Sequence, residues 1–159
     1  VDFSVPPNAA YAGALDAALL MQESAKAAGI EINVIREPDD GYWSNVWLKK
    51  PWSMCYWGGR PTVDTMLSIS LAADAPWNDT HFKSPRFNEL LVQARSELDE
   101  AKRAAMYAEC QQIVHDDGGQ VVLMFYNFVG ALNTAVAHGE LNSDQDSDGG
   151  YMVERWWMA

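Results

Sequence analysis

The stretch Cys55–Met66, CYWGGRPTVDTM, gathers the residue types best able to hold a ligand. Arg60 carries a planar guanidinium whose fork of N–H groups suits a carboxylate or phosphate through two parallel charge-assisted bonds. Gly58 and Gly59 beside it have no side chain to keep a ligand off the backbone. Tyr56 and Trp57 offer flat apolar faces with a polar edge. Asp64 leaves two readings open: it braces Arg60 at the start of a helix, or one of the two reads a ligand's charge. Further along, Trp77 and Asn78 in APWNDT supply a stacking ring and an amide that both donates and accepts. Trp43, Trp47 and Trp52 read as core packing.

Covalent chemistry is not expected. A nucleophile needs a base within reach, or an acid and a base poised together. His81, His115 and His138 fall in separate segments, and Cys110 and His115 are spaced so that one helix carries them on different faces. No GxSxG, HExxH or P-loop pattern occurs. No cofactor is implied. The run DQDSDGGYMVER sets Asp144, Asp146, Asp148 and Gly149 at positions 1, 3, 5 and 6 of a calcium loop, but Arg155 stands where position 12 needs a bidentate Glu. Residues 144–155 therefore read as a solvated acidic turn, not a metal site.

These residues need a scaffold, and the chain is long enough to supply one. Its 159 residues, 48% hydrophobic, fit a single domain with one core. With 22 acidic against 11 basic residues the net charge is -11, which disfavours nucleic acid and anionic membrane surfaces. No apolar run approaches the roughly 18 residues that span a bilayer. Cys55 and Cys110 form no CxxC, and free buried thiols are expected rather than a disulfide.

VDFSV alternates as a strand, Ala9–Ala28 has helical spacing that stops at Gly29, and Ile30–Ile35 alternates again. This is a strand–helix–strand unit, for which a parallel pair is the default. A short helix follows around Tyr42 and Val46, then a third strand, WSMCYW, and a helix near Pro61. Ser84 and Pro85 cap and open a helix lined by Phe87, Leu90, Leu91 and Ala94. A second opens at Asp99, its face Met106, Cys110, Ile113 and Val114, and ends at DDGG. QVVLMFY reads as a buried strand. The class is α/β, a mixed sheet flanked by helices.

The order of AAGIEINVI, DGYWSNVW, YWGGRPTVD and WNDTHFKSPRFNELLVQARSELDEAKRAAMYAECQQIVHDDGGQVVLMF resembles the carboxy-terminal lobe of the family 5 extracellular solute-binding proteins, the peptide- and nickel-type receptors of ABC importers. The resemblance implies one lobe of a type II periplasmic binding protein-like fold spanning residues 1–159, a piece of a longer bilobed receptor. It also implies that residues 150–159 pair with the missing lobe. The absence of a basic and apolar leader in VDFSVPPNAAY fits that expectation. The implied function is to bind a peptide or small anionic solute in the periplasm and present it, as a monomer, to an importer permease. A ligand-sensing module for a membrane signalling partner is the alternative. In the family's peptide-binding members an aspartate three residues after a strand-end tryptophan neutralises the ligand's amino terminus. Counted from Trp57, that position is Arg60, which turns the expectation toward an acidic ligand. The implied ligand-binding set is Tyr56, Trp57, Gly59, Arg60, Asp64, Trp77 and Asn78.

Overall fold

The computed structural model describes residues 1–143 and 146–159. The chain divides into two units, Val1–Trp57 with Ser70–Lys83, and Gly58–Ile69 with Ser84–Ala159.

The first unit opens with the expected strand–helix–strand. β1 (Asp2–Val5) and β2 (Asn33–Arg36) pair in parallel, in the register Asp2 to Asn33 through Val5 to Arg36. Between them α1 runs over Ala14–Lys26, later than the predicted start, because Gly13 sits in the left-handed region (φ 85°) and no helix runs through it. Gly29 (φ 72°) ends the turn after it. The buried stripe of α1 is Ala14 and Ala18, while Leu19 and Leu20 face out. Gln22 spends its amide on the Ile32 carbonyl at 2.6 Å, which ties helix to strand. Phe3, Val5, Ala10, Ala14, Ala18, Ile32 and Met54 form the core, and Trp52 stacks on Phe3 with ring centroids 4.3 Å apart.

The third strand is shorter than predicted. It is reduced to a parallel bridge between Ser4 and Ser53, with Ser4 N donating to Trp52 O and Met54 N to Ser4 O at 3.0 and 2.9 Å. Pro51 has no N–H to give a ladder, and past Met54 the side chains of Cys55 and Trp57 turn to a different partner. The short α2 (Tyr42–Asn45) buries Tyr42, whose hydroxyl donates to the Met54 carbonyl at 2.7 Å.

In the second unit α4 (Pro85–Ser96) begins as its sequence dictates: the Ser84 side chain accepts from Phe87 N, with proline in the first turn. Phe87, Leu90, Leu91 and Ala94 are buried. α5 (Glu100–Asp117) is capped by Asp99, which accepts from Lys102 N. Cys110 is its one fully buried residue among those described, with Met106, Ile113 and Val114 half-buried beside it. Arg86 holds Glu109 in a bidentate pair, at 2.7 and 3.0 Å, across the two helices. α3 (Val63–Ser70) is placed against α4 by Asp64, which accepts from Arg95 Nε at 2.9 Å.

QVVLMFY is not a buried strand. Residues 120–126 lie outside every β-ladder of the described residues, and Phe125 is 96% exposed. A strand exists only through the hydrogen bonds of a neighbour, and apolar alternation alone does not supply one. Residues 150–159 supply β4 (Trp156–Met158), which pairs antiparallel with β3 (Val136–His138). Both cysteines are free thiols. Among the described residues no helix is long and apolar enough to cross a membrane.

Candidate functional site

In the first unit, two loops converge on one carboxylate. The segment after α2 brings Trp47, Cys55 and Trp57, and the segment after α3 brings Trp77 and Asp79. Asp79 Oδ2 accepts from Trp47 Nε1 at 3.0 Å, from Trp57 Nε1 at 3.3 Å and from Cys55 Sγ at 3.3 Å. An indole N–H can only donate, so two tryptophans drawn off the surface need an acceptor between them. The Cys55 thiol is pushed up to about 12, first by burial and then by the negative charge of Asp79, so it stays protonated and keeps donating. The other oxygen, Asp79 Oδ1, is buried and has no hydrogen-bond partner.

Asn78 shapes the loop that delivers this carboxylate. It is 6% exposed. Its Nδ2 donates to Phe82 O at 2.7 Å and to Ala72 O at 3.3 Å. Its Oδ1 accepts from Phe82 N at 3.0 Å and from Thr80 Oγ1 at 3.3 Å. The turn so fixed puts His81 at φ 54°, a left-handed conformation few non-glycine residues adopt, held here by the bonds around it.

From the indoles of Trp47 and Trp57 the rings continue as a series, edge to face through Trp43 and tilted through Trp77. Tyr56 meets Trp43 at 5.7 Å and 78°, Trp43 meets Trp47 at 5.7 Å and 81°, and Trp77 leans on both Trp47 (6.4 Å) and Trp57 (6.1 Å). These separations and tilts are those aromatic quadrupoles favour. The outer rings stay open to solvent, Trp43 at 38%, Trp77 at 43% and Tyr56 at 51% exposed.

The predicted residues therefore divide between the units. Tyr56, Trp57, Trp77 and Asn78 belong to the first, where the three aromatics join the ring series and the Asn78 amide is committed to its own loop. Gly59, Arg60 and Asp64 belong to the second. The brace between Arg60 and Asp64 does not form: Asp64 pairs with Arg95, and Arg60 Nη1 donates to the carbonyls of Gly58 and Gly59 at 2.9 and 3.0 Å. Of the tryptophans read as core, Trp52 packs on Phe3, whereas Trp43 is half-open and Trp47 half-buried, their partners other rings and, for Trp47, a carboxylate. Asp79 was missed. Its signal was present in the sequence, an acid two residues after Trp77 in a chain rich in donor-only indoles.

In the acidic turn, Asp144 lies outside the described residues. Asp148 is engaged, accepting from Asn142 N at 2.6 Å and Trp156 Nε1 at 3.0 Å and pairing with Arg155 at 3.0 Å. The arginine that breaks the calcium pattern thus neutralises the acid the pattern would have used. No group of three or more potential metal ligands occurs among the described residues.

No family profile matches the chain. The periplasmic oligopeptide-binding protein OppA of Escherichia coli (strain K12) is 33% identical over 64 residues, 40% of this chain and 11% of OppA. The unliganded open form of the periplasmic murein tripeptide-binding protein MppA superposes with a TM-score of 0.66 at 16% identity, over 75% of this chain and 23% of MppA. The oligopeptide-binding protein AppA of Bacillus subtilis, in complex with a nonapeptide, superposes with a TM-score of 0.60 at 14% identity, over 99% of this chain and 31% of AppA. At these identities the likeness is one of fold, and the chain spans a third or less of each relative. The chain has the α/β fold of part of a family 5 extracellular solute-binding protein, as the residues that resemble that family implied.

Proposed function

We propose that this chain is a ligand-binding lobe of a periplasmic solute-binding protein that delivers a peptide or a small anionic solute to the permease of an ABC importer. The observation that most supports this reading is the series of half-open rings in the first unit, Trp43, Tyr56 and Trp77, which pack on Trp47 and Trp57 or on one another while a carboxylate holds the inner indoles. Ring faces left open beside a polar group suit a solute that stacks and hydrogen-bonds at once.

In this reading the protein makes and breaks no bond. The solute settles on one lobe, the remainder of the receptor closes over it, and the closed form is what the permease engages. Arg60 takes a ligand carboxylate or phosphate: the Gly58 and Gly59 carbonyls hold Nη1, and no carboxylate of the described residues pairs with the guanidinium. The receptor works as a monomer, without cofactor or nucleic acid.

Native mass spectrometry of the full-length protein, purified gently and then released from its cargo, tests the proposal. A stoichiometric peptide or small acid is the expected result. A protein that carries no solute and binds none on re-addition of an extract refutes it.

A further inference from the structure

We draw no further inference here: the strongest candidate, the exposed apolar stretch of residues 121–132 in the second unit, lies outside every β-ladder of the described residues, and nothing in the structure shows what covers it.

Discussion

Replacing Asn78 separates a residue that shapes the site from one that touches the ligand. Four hydrogen bonds converge on its amide, two of them short, to Phe82 O at 2.7 Å and from Phe82 N at 3.0 Å. At about 1 kcal/mol for each short bond and less for the longer ones to Ala72 and Thr80, Asn78→Ala costs about 2–3 kcal/mol. Asn78→Asp is more telling, because it keeps size and shape. It turns the donor into a carboxylate oxygen facing the carbonyls of Phe82 and Ala72. At neutral pH it is expected to destabilise at least as much as alanine. Acidification then restores part of the loss, since a protonated carboxyl can donate again. Urea unfolding of the full-length protein, followed by tryptophan fluorescence at pH 7 and pH 4.5, measures both. If Asn78→Ala stays within about 0.5 kcal/mol of wild type, the range of an ordinary surface change, and solute affinity alone collapses, Asn78 is a ligand residue and does not brace the loop.

Ser84→Ala removes the acceptor for Phe87 N at the start of α4 and is expected to lower stability by about 1 kcal/mol, read from the urea midpoint. Cys55, pushed up to about 12, should react with iodoacetamide at pH 8 roughly a thousandfold more slowly than an ordinary thiol, measured by mass spectrometry of the native protein. Asp148 is held below the usual carboxylate range, mainly by the Asn142 N–H and also by Trp156 and Arg155. It therefore adds stability above pH ~4 that is lost as the pH falls through its folded-state value, and Asp148→Asn should flatten that stretch of a thermal-melt pH profile. Arg60→Asp should weaken binding of the co-purified solute by more than tenfold if that solute is an acid. Unchanged affinity would remove Arg60 from the site.

The elements legible from sequence were those whose signals are local. Ser84 with Pro85, Asp99, and the stripe Phe87, Leu90, Leu91, Ala94 specify α4 and α5 without reference to anything distant. Gly29 likewise marks an end by its own geometry. QVVLMFY failed because a strand is a relation between segments, and apolar alternation does not say which neighbour supplies the bonds. The site was half legible for the same reason. Trp57 and Trp77 stood out as aromatics near turns, but the role of Asp79 depends on Trp47, 32 positions away, and on Cys55 and Trp57, at separations of 24 and 22. Asn78 attracted attention as a polar residue beside Trp77, yet composition cannot say whether an amide faces a ligand or its own loop.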